Sequence, residues 1–239
     1  MIYKKTTLKY SISDLEKKIL PLITKEGLLS WNNEKKYFYL PQKNEIFTFK
    51  LFIPGIYLII NNLDLKNGIQ IDQEIENLTI LFLLIQAGHA AIAIDKNKNI
   101  IKHKKISKYM VRKKRGFAQI TYQSRKGKAR GGSKLRLKRS REFFEEIGLK
   151  ISKWFEEIEN VDYIFFQCSP RLWGNFFGKN SLLPFEKDDN RIYKIPYNLK
   201  TPNFSEIERV HKKIWFGRIE IISKRIYSSL DDLLVELLN

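Results

Sequence analysis

Residues 96–141 contain nineteen Lys or Arg and no Asp or Glu. The chain as a whole has a net charge of +18, so the remaining residues are together close to neutral. The positive charge is therefore concentrated in one stretch, which we call the basic segment. Such a stretch attracts a polyanion, because releasing the counterions of a phosphate backbone favours binding whatever the nucleotide sequence.

The basic segment differs in composition from a disordered cationic tail. Apolar and aromatic residues interrupt it, among them Ile106, Tyr109 and Phe117, whereas blocks of like charge that remain disordered lack such residues. Glycines at residues 115–119 and 127–133 allow tight turns, or a close approach of the backbone to a nucleic acid. We therefore expect at least part of the segment to fold.

The rest of the sequence predicts a folded intracellular protein. Hydrophobic residues make up 43% of the chain, and Cys168 is the only cysteine, so no disulfide forms within the chain. The three histidines lack zinc-ligand spacing. Residues 78–94 are uncharged but short for a membrane span, and we interpret them as two buried strands with a turn near Gly88. We expect a cytoplasmic protein with no signal peptide, membrane segment, metal or cofactor.

Strand and helix patterns alternate from residue 78 to residue 222, which predicts an α/β fold with a mixed central sheet and helices on both faces. Residues 135–155 carry an apolar stripe at helical spacing, basic in its first half and acidic in its second. The helix dipole favours the opposite order, so we interpret the basic half as a phosphate-facing surface. We place an α/β extension at 1–70, the main domain at 71–226 and a helical tail at 227–239.

The chain has no P-loop, nucleophile elbow or HExxH motif. Asp72, Asp95 and Asp162 lie near predicted strand ends, so a metal-dependent nuclease on an RNase H-like sheet is one alternative, and EDTA would abolish its activity. His103 is a candidate general base, and His89 is expected to be buried. Gln119 is an amide among cations and can orient a water molecule or a hydroxyl group, although its spacing alone indicates an ordinary surface residue.

Residues 103–119 read HKKISKYMVRKKRGFAQ. Their pattern is His-Lys, then Tyr, then Arg-x-Lys-x-Gly-x-x-Gln, and the matching positions are His103, Lys104, Tyr109, Arg112, Lys114, Gly116 and Gln119. It resembles the release-factor-like domain of the ankyrin-repeat and zinc-finger peptidyl-tRNA hydrolases of ribosome quality control. That domain is similar to the central domain of eukaryotic and archaeal class-one release factors, and the resemblance implies their RNase H-like layering.

The resemblance extends over roughly residues 78–222. Further matching positions are Ala87-Gly88-His89-Ala90, Gly131-Gly132-Ser133, Leu135-Arg136, Pro170-Arg171, Phe176-Phe177-Gly178, Pro202, Phe204, Glu206, Arg209 and Val210. The Gly-Gly-Gln tripeptide of the release factors is absent, because Gly131-Gly132 precedes Ser133. Gly116-Phe117-Ala118-Gln119 matches the quality-control branch instead. We expect a stand-alone, bacterial-type member without the zinc-finger and ankyrin regions.

The resemblance implies binding to the rRNA of the large ribosomal subunit beside a stalled peptidyl-tRNA, as a monomer. Gln119 would be catalytic, acting either in ester hydrolysis or in metal-independent cleavage near the CCA end. Residues of the surrounding loop would stabilise charge, namely Arg112, Lys113, Lys114, Arg115 and Gly116. The residues that would bind RNA are Lys104, Lys105, Lys108, Arg125, Lys126, Lys128, Arg130, Lys134, Arg136 and Arg139. A non-catalytic rRNA-binding factor is the alternative from another functional class.

The basic segment predicts strongly salt-dependent RNA binding. Each neutralised phosphate steepens the plot of log affinity against log salt concentration by roughly 0.7 to 0.9. We expect affinity for ribosomal RNA to fall steeply when it is measured across a KCl titration. A flat response would contradict an rRNA-facing role for the segment.

Overall fold

The computed structural model describes residues 4–25, 28–32, 34, 37–41, 48–60, 77–108, 129–178 and 182–238. The chain divides into two compact units. The first comprises residues 1–73 and 209–239, and the second comprises residues 74–208. Each unit is built on its own five-stranded sheet.

The sheet of the first unit is antiparallel throughout, with the strand order β1-β10-β4-β3-β2. Its strands are Lys4–Tyr10 (β1), Ser30–Asn32 (β2), Tyr37–Tyr39 (β3), Thr48–Phe52 (β4) and Gly217–Ser223 (β10). Its helical elements are Ile12–Asp14 (α1), a π-helical stretch at Leu15–Ile19, Leu20–Thr24 (α2), Gly55–Ile60 (α3) and Leu230–Leu238 (α7). Ser11 and Asp14 form a capping box that starts α1.

The sheet of the second unit is mixed, with the strand order β7-β6-β5-β8-β9. Its strands are Thr79–Gln86 (β5), His89–Lys96 (β6), Asn99–Ser107 (β7), Tyr163–Gln167 (β8) and Ile192–Lys194 (β9). Strand β6 is antiparallel to β5 and β7, whereas β8 is parallel to both β5 and β9. This order, with only the second strand reversed, is that of an RNase H-like sheet. The predicted mixed α/β fold is confirmed.

Helices lie on both faces of this second sheet. On one face, Ala129–Glu157 (α4) packs Phe143, Ile147 and Ile151 into the core against β5 and β6, and Pro170–Phe176 (α5) joins the same core. These three residues follow the spacing of a helix with one apolar face. On the other face, the ring of Phe204, the first residue of Phe204–Trp215 (α6), lies 4.1 Å from the ring of His103.

The structural units differ from the predicted domains at the C-terminal boundary. Residues 209–226 were placed in the main domain, but they belong to the first unit together with residues 227–239. The reason is that β10, which follows α6, pairs with β1 and β4 instead of extending the mixed sheet. Pairing between strands this distant in sequence is not encoded in local periodicity.

The packing of Tyr10 requires a glycine at position 217, the first residue of β10. Gly217 lies opposite Tyr10, whose buried ring passes over it so that the hydroxyl donates a 2.8 Å hydrogen bond to the carbonyl oxygen of Phe52 on β4. A β-carbon at position 217 would overlap the Tyr10 ring.

We predict that Gly217→Ala destabilises the protein by about 1 to 3 kcal/mol, because the Tyr10 ring must leave its place. Gly174→Ala is the matched control, since no atom lies within 4 Å of a β-carbon built at that helical position. That variant should be neutral or slightly stabilising. Urea unfolding followed by circular dichroism measures both, and equal midpoints for the two variants would contradict the packing described for Tyr10.

Candidate functional site

The structure describes the residues that precede and follow the central part of the basic segment, residues 109–128. Strand β7 and Lys108 lead into it, and α4 follows it from Ala129. The predicted catalytic residue Gln119 lies outside the described residues, as do the predicted charge-stabilising residues Arg112, Lys113, Lys114, Arg115 and Gly116 and the predicted RNA-binding residues Arg125, Lys126 and Lys128.

The entry to residues 109–128 lies at the edge where the parallel strands end. Strands β5, β7, β8 and β9 run in one direction, so their C-terminal ends share this edge. The N–H group of Lys108 donates a 3.0 Å hydrogen bond to the carbonyl oxygen of Gly88, in the turn between β5 and β6. Gly88 has a φ of 82°, a backbone conformation that favours glycine. In open α/β sheets, ligands commonly bind at the C-terminal edge of the strands.

Amide side chains at this edge have structural roles. Gln86, at the end of β5, donates a 3.1 Å hydrogen bond to the carbonyl oxygen of Lys200, and Gln167, at the end of β8, donates one of 3.0 Å to Tyr197. The buried carboxylate of Glu206 accepts a 2.8 Å hydrogen bond from the N–H of Lys200. These contacts hold residues 197–200 along the edge.

The positions that carry the downstream part of the resemblance pack this same region. Asn203 caps α6, because its side-chain oxygen accepts a 2.8 Å hydrogen bond from the N–H of Glu206. The neighbouring Phe204 lies against His103 of the edge strand. The Asn-x-x-Glu spacing is a recognisable helix-start signal, so the sequence already contained the information for this cap.

Strand β7 is an edge strand that presents cations on both faces. Lys104 pairs in register with Ile92, on the face covered by α4, and Lys105 pairs with Ala91, on the opposite face. Both lysines are exposed, and neither has an ion-pair partner within the described part of the chain. Lysines on an edge strand also discourage pairing with other chains.

Lys108, also predicted to bind RNA, has a carboxylate partner. Its ammonium group lies 2.9 Å from a carboxylate oxygen of Glu146 on α4, and the hydrogen bond that Lys108 donates to this carboxylate raises the pKa of Lys108. Lys102 likewise pairs with Glu157. As residue numbers rise along β7, those of the partners on α4 fall, so the helix runs antiparallel to the strand.

The start of α4 therefore lies towards the edge where β7 ends. Among its described side chains, the first that packs into the core is Phe143. Residues 129–142 before it extend for roughly 21 Å at the usual helical rise. This part of the helix carries Arg130, Lys134, Arg136 and Arg139, all predicted to contact RNA. Its backbone places them on the same side of the sheet edge as the entry to residues 109–128.

The histidines differ in part from expectation. His89 was expected to be buried, but it is exposed, and its Nδ1 atom lies 3.2 Å from the hydroxyl oxygen of Ser107. The prediction was wrong because His89 pairs with Gln86 at the very end of the β5–β6 hairpin, where the apolar strands reach the edge. His103 is exposed on the same face as His89.

The acids considered for a metal site lie elsewhere. Asp95 is fully buried near the end of β6, and Asp162 precedes β8 and accepts a 2.7 Å hydrogen bond from the N–H of Thr79. Both are at the edge of the sheet opposite the entry to residues 109–128, and Asp72 lies outside the described residues. Among the side chains that the structure describes, no group of three or more His, Cys, Asp or Glu could hold a metal ion.

Comparison with known proteins identifies the family. Residues 80–221 match the family described as Bacteroidetes VLRF1 release factor. The chain belongs to this family. The resemblance to a release-factor-like domain of ribosome quality control is thereby confirmed.

Curated relatives carry the name tRNA endonuclease. The chain is 30% identical to tRNA endonuclease ANKZF1 of Homo sapiens over 135 residues, 55% of this chain and 18% of that protein. It is 28% identical to tRNA endonuclease vms-1 of Caenorhabditis elegans over 144 residues, 57% of this chain and 23% of that protein. The matches thus span less than a quarter of these relatives. A solved structure, the Vms1 mitochondrial localization core, aligns with a TM-score of 0.44 and 15% identity over 77% of this chain and 76% of that one.

Two further observations concern the thiol of Cys168 and the possibility of a membrane-spanning helix. Burial raises the pKa of the Cys168 thiol to about 11, so this thiol is protonated at neutral pH and is not a nucleophile. No described helix is both long enough and apolar enough to cross a membrane.

We predict that Cys168 in the native protein reacts with a disulfide reagent at pH 8 at least a hundredfold more slowly than in urea. With a pKa of about 11, roughly 0.1% of the thiol is ionised at pH 8, compared with roughly a quarter of an ordinary exposed cysteine. Reactivity should rise as pH approaches that value. Equal rates in the native and unfolded protein would show that the thiol is accessible and ionisable.

Proposed function

We propose that this chain releases nascent chains from stalled peptidyl-tRNA on the large ribosomal subunit, acting as a cytoplasmic monomer. The observation that carries the proposal is that the family match spans the whole basic segment, including the position of Gln119. The family is described as a release factor, and the relatives are named tRNA endonucleases. A release factor acts on the bond between peptide and tRNA, whereas a tRNA endonuclease cleaves the tRNA itself.

The charge distribution supports RNA as the partner. The exposed lysines of β7 and the basic start of α4 flank the entry to residues 109–128, and their shared edge is where α/β sheets commonly bind ligands. In our proposal these cations hold rRNA and tRNA phosphates, and the loop of residues 112–119 reaches the 3′ end of the tRNA. Sequence-independent phosphate contacts suit a factor that must act on any stalled tRNA.

One chemistry is hydrolysis of the ester between peptide and tRNA, which the description of the family as a release factor favours. Gln119 would hold the attacking water through its amide oxygen. The carbonyl oxygen gains negative charge as the tetrahedral intermediate forms, and neighbouring cations such as Arg112 and Lys114 would stabilise it. Positioning of the attacking water contributes most to the rate of this reaction, because the ester between peptide and tRNA is itself reactive towards water.

The other chemistry is cleavage of the tRNA near its CCA end, which the names of the relatives favour. A ribose 2′-oxygen would attack the adjoining phosphorus, the bond to the 5′-oxygen would break, and a cyclic phosphate and a 5′-hydroxyl would result. Gln119 would orient the 2′-hydroxyl, but an amide does not take up its proton. His89, exposed beside the entry, and His103, exposed on the same face five residues before Lys108, are the described imidazoles available as acceptors.

We predict that Gln119→Ala lowers the rate of peptide release from purified stalled 50S–peptidyl-tRNA by about a hundredfold or more. Loss of one group that positions or stabilises the transition state typically has an effect of this size. Gln123→Ala is the matched control, since it removes another glutamine of the same segment outside the motif. The rate for the control variant should remain within a few fold of wild type.

Ribosome binding should be unchanged in the Gln119→Ala variant. Peptide release at the wild-type rate would contradict a catalytic role and leave a non-catalytic rRNA-binding factor. An acid gel of the tRNA product then separates the two chemistries. A shortened tRNA indicates phosphodiester cleavage, and a full-length deacylated tRNA indicates ester hydrolysis.

A further inference from the structure

The first unit contains a cavity of about 520 Å³. It lies where β1 ends, and its walls come from α6 and the start of β10. Its lining residues include five cations and an aromatic residue, namely Lys9, Arg209, Lys212, Lys213, Arg218 and Phe216. Its volume is within the range of cavities that bind small ligands.

Two of its cations face each other directly. Lys9 on β1 and Arg218 on β10 are partners in the antiparallel register. Like charges at directly opposed positions destabilise a sheet. Glu220 offsets this only in part, since its carboxylate lies 3.0 Å from Arg218 and 3.2 Å from Lys5, and so is shared.

The carboxylate that lines the cavity has other partners. Asp14 accepts hydrogen bonds of 3.1 Å from the N–H of Ser11 and 2.8 Å from its hydroxyl, and it lies 3.7 Å from Lys18. The hydrogen bond from the Ser11 side chain is the main reason that the pKa of Asp14 is lowered. The one carboxylate among the lining residues is therefore engaged with Ser11 and Lys18.

The helix dipole accounts for part of the positive charge that lines the cavity. Lys212 and Lys213 lie in the last turn of α6, where cations stabilise a helix. This reason does not extend to Lys9 and Arg218, which lie on strands. A bound anion explains both the Lys9–Arg218 pair and the Lys212–Lys213 pair. It would offset the repulsion between the first two cations and would be contacted by the two lysines at the helix end.

An aromatic ring defines what kind of anion fits. Phe216 lines the cavity and is 44% exposed, although it is apolar. Its position is held, since its N–H donates a 3.0 Å hydrogen bond to the carbonyl oxygen of Lys212. A cationic wall beside an exposed aromatic face is the arrangement by which proteins bind single-stranded nucleic acid, with phosphate on the cations and a base stacked on the ring.

We infer that this cavity binds a nucleotide of a single-stranded RNA segment, with its phosphates on Lys9 and Lys212 and its base against Phe216. The site is a second RNA contact, outside the basic segment. It extends the surface available for rRNA or tRNA without depending on the chemistry of Gln119.

The test measures the affinity of the full chain for a fluorescein-labelled oligouridylate across a KCl titration. Lys9→Ala/Lys212→Ala should weaken binding about tenfold and reduce the salt slope by about 1.4, because each phosphate contact to a single strand contributes roughly 0.7. Phe216→Leu should weaken binding about fivefold without changing the slope, because it removes stacking only. The matched control Lys4→Ala/Lys224→Ala removes the same charge from exposed positions of the same unit that do not line the cavity.

Photocrosslinking to RNA containing 5-iodouridine then locates the contact. Crosslinking at Phe216, competed by oligouridylate and not by AMP, is the expected result. Equal loss of affinity in both double variants, or no crosslink at Phe216, would overturn the inference, and competition by AMP would show that the ligand is a free nucleotide. Gln119→Ala should leave the crosslink unchanged, so failure of this site and failure of the release activity are separate results.

Discussion

The complete burial of strand β5 is the constraint on which the second unit depends. Residues 79–85 are buried on both faces of the strand, so it must lie inside a sheet covered on both sides. Its antiparallel partner β6 and its parallel partner β8 then determine the direction of every other strand. As a consequence, β5, β7, β8 and β9 end at one edge, and the basic segment leaves the sheet there.

Charge segregation along α4 has a structural explanation as well as a functional one. The acidic second half of the helix faces the edge strand, where Glu146 and Glu157 pair with Lys108 and Lys102. The pair with Lys102 offsets the unfavourable position of Glu157 at the helix C-terminus. The basic first half precedes Phe143, Ile147 and Ile151, which pack into the core. One helix thus both packs the sheet and carries cations to the edge where we propose that RNA binds.

Local patterns in the sequence predicted the elements more successfully than their partners. The apolar run of β5 and the stripe of Phe143, Ile147 and Ile151 determine a buried strand and a packed helix, and both were predicted. The partners of β10 were not, because its alternating pattern requires only one buried face and does not specify which strands provide the sheet. The exposure of His89 was missed because its apolar neighbours concealed its place at the end of a hairpin.

The proposed site was predicted through a motif and not through periodicity, since Gln119 is indistinguishable from a surface amide without the surrounding pattern. The family match spans the motif, and the chain enters residues 109–128 at the edge where α/β sheets commonly bind ligands. A cryo-electron microscopy reconstruction of the Gln119→Ala variant on 50S–peptidyl-tRNA tests this most directly. We expect residues 112–119 beside the terminal CCA, with position 119 near the ester or the adjoining phosphate. A reconstruction in which this loop lies away from the acceptor end would contradict the account.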